Sequence, residues 1–141
     1  MVKYKGKLTK ATKWAAGYDV YAFESVVLLS MLVTRIKTGL YLDLIDNRPF
    51  CEKPMVWGDL RPRSGLASRG VIVINGTIDS DYRGEIQAMM LNLNTVPFVI
   101  NEGDRIAQLV FMPNYKSQII ETDAIDDNTE RGTGGFGSTG R

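Results

Sequence analysis

Asp79, Asp81, Tyr82 and Arg83 crowd into one short run, Asn75-Gly76-Thr77-Ile78-Asp79-Ser80-Asp81-Tyr82-Arg83-Gly84-Glu85. A carboxylate at the edge of a partly buried pocket can orient or deprotonate water, and Ile78 beside Asp79 suggests such an edge. The commoner meaning of a polar run like this is a solvated turn, and Asn75-Gly76 marks a tight hairpin. A second run, Arg61-Pro62-Arg63-Ser64-Gly65-Leu66-Ala67, holds a charge in Arg63, a hydroxyl in Ser64 and close backbone access at Gly65. A short helix starts here, and such a start is either an anion site or an ordinary cap after a proline turn. Asp19, in Ala15-Ala16-Gly17-Tyr18-Asp19-Val20, is either a turn acid or a site residue. Gln108, in Gly103-Asp104-Arg105-Ile106-Ala107-Gln108-Leu109, shares a strand face with Ile106 and Val110, and a polar side chain there needs a partner.

The end of the chain, Arg131 to Arg141, contains five glycines. Such a segment builds no core and costs much backbone entropy to order. A disordered tail is the plain reading. Against it stand Phe136, a stacking group with nothing local to stack on, the hydroxyls of Ser138 and Thr139, and the bracketing charges of Arg131 and Arg141. Successive N–H groups in such a loop can nest an anion. No G-K-[ST] occurs and no strand precedes it, so it is not a Walker A loop.

Absences narrow the chemistry further. The chain has no histidine and one cysteine, Cys51. No Ser-His or Cys-His pair can operate, a Cys/His zinc site is excluded, and no intrachain disulfide forms. Catalysis would rest on carboxylates, an oxygen-bound metal such as magnesium, or preorganised donors. The formal net charge of +1 gives no global pull toward nucleic acid or membrane. The longest apolar stretch, Val26 to Val33, falls far short of the roughly 20 residues that span a bilayer. An intracellular setting is expected, cytoplasmic or inside a host cell if the source is viral.

These residues must be positioned by strands. The 141 residues suit one compact domain, with 44% hydrophobic residues for a core. Ser25–Leu32, Thr38–Ile45, Met55–Leu60, Val71–Ile74, Glu85–Asn94, Pro97–Ile100 and Arg105–Met112 read as strands separated by turn signals. Many short strands at this spacing predict an all-β sandwich or barrel. The one helical candidate is Ser64 to Arg69, stopped by Gly70. Within Glu85 to Asn94, Ile86, Ala88 and Met90 line one face while Met89, Leu91 and Leu93 line the other. Two apolar faces on one strand predict a subunit contact. The lysines at 3, 5, 7, 10 and 13 read as a solvated, mobile arm. The predicted organisation is an arm over 1–13 within a single β domain over 1–130, followed by a glycine-rich flap over 131–141.

Taken in order, A-G-Y-D-V, R-P-R-S-G-L-A, G-T-I-D-S-D-Y-R-G-E, G-D-R-I-A-Q-L and R-G-T-G-G-F-G-S-T-G resemble the five motifs of the trimeric dUTP pyrophosphatase (dUTPase) family. The resemblance spans residues 15 to 141. It implies a distorted β jelly roll of the β-clip type whose three subunits share three active sites. It also implies hydrolysis of dUTP to dUMP and pyrophosphate with magnesium on the triphosphate. That reaction limits uracil incorporation into DNA and supplies dUMP for thymidylate synthesis.

Residue by residue, the resemblance makes Asp79 the base for the water that attacks the α-phosphorus. Asp19 supports the site geometry or the outer shell of the metal, and Gln108 lies on the phosphate side. Arg63, Ser64 and Gly65 contact phosphates, joined by Arg131, Gly137, Ser138 and Thr139 from the tail. Asn75, Gly76, Thr77, Ile78 and Asp79 present main-chain groups to uracil. Tyr82 lies under the deoxyribose, excluding a 2′-hydroxyl, and Phe136 stacks on the base. Cytosine would leave buried groups unpaired, at about 1–3 kcal/mol each. The expected partners are dUTP and two further copies of the chain, with no nucleic acid and no membrane. A regulatory protein partner has no support in the residues.

The chain departs from the family pattern twice. The segment between Ala67 and Gly76 is one residue shorter than in many members, which blurs the base contacts of Asn75 and Gly76. Asn47 to Asp59 does not look like the usual short connection. Two rivals remain. The dCTP deaminase branch shares fold and phosphate sites, but the intact D-S-D-Y-R-G-E and the aromatic tail oppose it. A binding protein that keeps the nucleotide site and acts on a partner is the other.

Overall fold

A computed structural model describes residues 2–45, 55–74, 76–115, 119–130 and 132–134. Eleven strands and one short helix run in the order β1 (Lys3–Lys5), β2 (Leu8–Thr9), β3 (Tyr18–Tyr21), β4 (Val26–Leu28), β5 (Val33–Asp43), β6 (Met55–Pro62), α1 (Ser64–Ala67), β7 (Val71–Val73), β8 (Thr77–Ile78), β9 (Ile86–Asn92), β10 (Phe98–Ile100) and β11 (Arg105–Asn114). They form a four-stranded sheet β1-β5-β9-β7, a five-stranded sheet β2-β3-β11-β6-β8, and the pair β10-β4. All strand pairs are antiparallel. This is the all-β, jelly-roll type of architecture, with one short helix among the described residues. No helix among the described residues is long and apolar enough to cross a membrane.

Period-two alternation drives the long strands. In β5, Ile36, Thr38, Leu40 and Leu42 point inward. In β9, Ile86, Ala88, Met90 and Asn92 do so. Their partners across one shared core include Val20 of β3, Leu60 of β6 and Leu109 of β11. Asn92 is fully buried, so it must be satisfied. Its Nδ2 donates to the carbonyls of Leu28 at 3.0 Å and Val96 at 2.9 Å. Its Oδ1 accepts from the Asn94 backbone N–H at 3.0 Å.

Several expectations are corrected. Asn75-Gly76 does not close a hairpin, because β7 pairs with β9 while β8 pairs with β6 in the other sheet. The segment is a crossover between sheets, and a turn signal alone does not say which strands it joins. The basic arm is not free either: β1 pairs with β5 and β2 with β3. Lysine-rich edge strands of this kind discourage pairing with other chains. Ser25–Leu32 is strand only over Val26–Leu28, and the chain turns at Met31 with φ 57°. Part of the unusual Asn47–Asp59 stretch, from Met55 on, belongs to β6, whereas Cys51 lies outside the described residues.

In β11 the strict face reading fails at one end. A register shift between Arg105 and Ala107 buries both Ile106 and Ala107, as a bulge does by re-aiming one side chain. Beyond it the alternation resumes, with Leu109 buried and Gln108 and Val110 half-buried. On β9, the second face is half-buried at Met89 and Leu91, and Leu93 just beyond it is exposed.

Candidate functional site

Strand pairing brings three of the singled-out segments into one row. In the five-stranded sheet, Gln108 of β11 faces Asp19 of β3 on one side and Arg61 of β6 on the other. Arg63 follows directly after β6 and stands at the N-cap of α1 with extended backbone, φ −93° and ψ 135°. Its Nε donates to Asp19 Oδ1 at 3.0 Å, and its Nη1 donates to the Arg105 carbonyl at 3.3 Å. Arg105 in turn donates from Nη1 to Asp19 Oδ2 at 3.3 Å. The Asp19 side chain is only 9% exposed, so its charge is balanced by two guanidinium groups rather than by water.

Gln108 resolves its own anomaly: Nε2 donates to the Pro62 carbonyl at 2.9 Å. Gly17 lets it lie there, because a Cβ at Gly17 would come within 3.2 Å of Gln108 Oε1. Ser64 and Gly65 are exposed at the start of α1, where the first helical N–H groups have no intrahelical acceptor. A Cβ at Gly65 would meet nothing within 4 Å, so packing within the chain places no demand on this glycine. A cavity of about 500 Å³ opens here, lined by Arg63, Gly65, Arg69, Phe98, Asp104 and Arg105 among others. The Arg69 guanidinium lies 4.6 Å from the centre of the Phe98 ring, in cation–π geometry. The cluster therefore offers three arginines and a helix start to an anion.

A second cavity, of about 430 Å³, is lined by Arg35, Thr77, Ile78, Asp79, Tyr82, Glu85, Ile86, Gln87 and Met89. Ile78 is buried against Gly58, its partner in β6, where a Cβ would crowd Leu109 and Ile78. Asp79 follows at the end of β8 and is exposed. The turn after it is tied down: Tyr82 N–H donates to the Asp79 carbonyl at 3.1 Å, and Ser80 Oγ to the Val56 carbonyl at 2.8 Å. Arg83 clamps the same turn, with Nη1 on the Ser80 carbonyl at 2.9 Å and Nη2 on Asp43 at 2.9 Å. Gly76 contributes its carbonyl to the Leu60 N–H at 2.9 Å.

The two cavities share no lining residue. Arg63 and Gly65 line one, with Asp19 bonded to Arg63 and Gln108 to the neighbouring Pro62 carbonyl; Thr77, Ile78, Asp79 and Tyr82 line the other. Neither Asp19 nor Gln108 lines the Asp79 cavity, and β3 and β8 stand on opposite sides of the β11-β6 pair. Asn75, Arg131, Phe136, Gly137, Ser138 and Thr139 lie outside the described residues. Sequence reasoning missed Arg105, Arg69, Arg35 and Glu85. Arg105 and Glu85 stood inside quoted motifs; Arg35 and Arg69 had no local signal. No group of three or more acidic or cysteine side chains that could hold a metal occurs among the described residues.

A model of the dUTPase family matches residues 3–140. The deoxyuridine 5'-triphosphate nucleotidohydrolase of Nautilia profundicola is 43% identical over 133 residues, covering 92% of this chain and 87% of the relative. The enzyme of the same name from a Helicobacter pylori strain is 41% identical over 132 residues, with 92% and 85% covered. Among solved structures, a variant of the Staphylococcus bacteriophage 80alpha dUTPase with dUpNHpp has a TM-score of 0.86 at 23% identity, covering 100% of this chain and 99% of that one. The native EIAV dUTPase has a TM-score of 0.72 at 22% identity, with 92% and 99% covered. These structures share the fold.

Proposed function

The chain belongs to the dUTPase family, and from that premise we propose that it hydrolyses dUTP to dUMP and pyrophosphate. One observation carries the chemical part of the reading. Asp79 stands exposed at a cavity of about 430 Å³ while its neighbours Ile78 and Ser80 are locked into the sheet. That size suits a small ligand, and a carboxylate on a rigid support is placed for use rather than for packing. Asp79 orients a water and takes its proton. The water oxygen forms a bond to the α-phosphorus, and the bond from that phosphorus to the bridging oxygen breaks in line, releasing pyrophosphate.

The arginine cluster takes the phosphates. Arg63 presents charge-assisted donors, and Ser64 with Gly65 offers helix-start N–H groups. Gln108 closes the same side. Magnesium, when bound, would neutralise the phosphate oxygens. Among the described residues no acidic cluster forms a closed metal site, so the ion would rest on substrate oxygens and water. Both Asp19 oxygens already serve guanidinium groups, so Asp19 is assigned the positioning of Arg63 and not a place near the metal. Asp19→Ala should lower kcat/KM about tenfold and stability by about 1–2 kcal/mol, since Arg105 is half exposed. In an Arg63→Ala background the same change should cost little further activity; full additivity in the kinetics would contradict the assignment.

Uracil and deoxyribose occupy the Asp79 cavity, with Thr77 to Asp79 beside the base and Tyr82 beneath the sugar. Because the two halves of the site lie apart on one chain, the working site is completed between subunits of a homotrimer. An apolar surface supports this: Val27 pairs with Val99 in register and both are more than half exposed, as are Leu29 and Met31. Patches like this mark contacts with other chains. Light scattering on the eluting protein should return three times the chain mass, and a monomer would sink the shared-site scheme. The central test is pyrophosphate release from dUTP, dCTP, dTTP and UTP with magnesium. Release from dUTP alone is expected; ammonia from dCTP would make the protein a deaminase instead.

A further inference from the structure

Tyr82 does not hold its own ring in place. Its hydroxyl donates to the Glu85 carbonyl at 3.1 Å, which draws the ring back across Gly84. A Cβ built on Gly84 would overlap the Tyr82 hydroxyl and sit 2.9 Å from Cε2. The ring therefore occupies the space where any other residue would carry its side chain. Tyr82 is 47% exposed, so the described residues of its own chain leave the outer side of the ring open to movement once that space is filled.

Glu85 is itself fixed by a distant element. In β5, the register against β9 jumps from Lys37 to Leu40. The bulge takes the N–H groups of Thr38 and Gly39 out of the ladder, and both need acceptors. Glu85 Oε1 supplies one to each, at 3.2 Å and 2.9 Å. Thr38 Oγ1 donates to the Ile86 carbonyl and accepts from the Leu40 N–H at 3.2 Å. Gly39 has φ 63°, with Phe23 packed where a Cβ would project. The β5 bulge thus holds Glu85, and the Glu85 carbonyl holds the tyrosine.

We propose that Gly84 and Glu85 are specificity-determining positioning residues: together they fix the Tyr82 ring in the one place where it excludes a ribose 2′-hydroxyl. This rests on the reading of Tyr82 given above. Rejection of one small added group by a pocket wall depends on how rigid the wall is. A tyrosine half open to solvent is rigid only because Gly84 leaves room for it and Glu85 ties its hydroxyl.

Gly84→Ala is a clean probe. Gly84 is not in the left-handed region, where an alanine would be strained, so the backbone tolerates the change and the added methyl group acts on the ring. The experiment measures kcat and KM for dUTP and UTP with magnesium on the full chain, alongside circular dichroism and Tm. Gly84→Ala should raise the ratio of kcat/KM for UTP to that for dUTP about tenfold while the spectrum stays native. Glu85→Ala should move the ratio the same way, and Glu85→Gln should restore it, because an amide oxygen accepts the same two N–H groups. A native-like Gly84→Ala protein with the wild-type ratio overturns the inference alone. A wild-type protein that turns over dUTP without discriminating against UTP overturns the reading of Tyr82 and this inference with it. Wild-type protein inert toward dUTP overturns the proposed function itself.

Discussion

Asp79→Asn should lower kcat for dUTP by about a thousandfold, within the range expected for loss of a positioned general base. Binding of a nonhydrolysable dUTP analogue should change by no more than about threefold. Asparagine has nearly the same shape as aspartate but cannot take a proton from water. Packing does not enter, because Asp79 is exposed and the burial on either side comes from Ile78 and from the Ser80 hydroxyl bond to Val56. Its backbone carbonyl, which accepts the Tyr82 N–H, is untouched by the change. The turn should therefore keep its form and its ligand while losing the chemistry. Titration calorimetry with the analogue separates the two effects from steady-state kinetics. A matching loss in binding and in kcat would mean that Asp79 holds substrate instead of activating water.

The same residues show what a sequence can and cannot reveal. Long strands such as β9 and β11 were legible because sustained period-two alternation is hard to mimic, whereas β5 was legible only from Thr38 on, its first half, Val33 to Lys37, falling outside the predicted strand. Strands of two to four residues, such as β2, β3 and β8, are too short to show a period, and only pairing across the sheet defines them. Asn75-Gly76 misled for a related reason: a turn signal is local, while the choice of sheet on each side is not. At the site, the need of Gln108 for a partner was legible from burial alone, but the partner, the Pro62 carbonyl, was not. Asp19 stayed ambiguous until β3 was placed beside β11 and Arg63 and Arg105 converged on it. Glu85 stood inside a quoted motif, but nothing local told its role, since its carboxylate answers a bulge in β5 far upstream.

Deleting residues 131–141 should lower kcat/KM for dUTP by a hundredfold or more, on the scale of about 10² for loss of a single positioning constraint. The described part of the site is open. Asp79, Ser64 and Gly65 are exposed, and Tyr82 is nearly half so. Charges facing bulk water interact weakly, and transition-state stabilisation by Arg63 or by N–H groups gains strength only when water is excluded. Something must cover the substrate. Residues 119–130 are exposed throughout and carry five acids with no basic residue, which repels a triphosphate. The segment after them has the opposite character: Arg131 and Arg141, five glycines, three hydroxyl residues and Phe136. Glycines of this kind leave backbone N–H groups open to phosphate oxygens, and a phenyl ring such as that of Phe136 offers an apolar face on which a base can stack. If this segment closes the site, its loss should spare the fold, because every core residue among the described ones lies between Val20 and Leu109. The shortened protein should keep the wild-type Tm and oligomeric mass while losing turnover. Phe136→Ala should reproduce part of the loss, mainly in KM. A truncated enzyme with wild-type kinetics would show that residues 1–130 exclude water unaided.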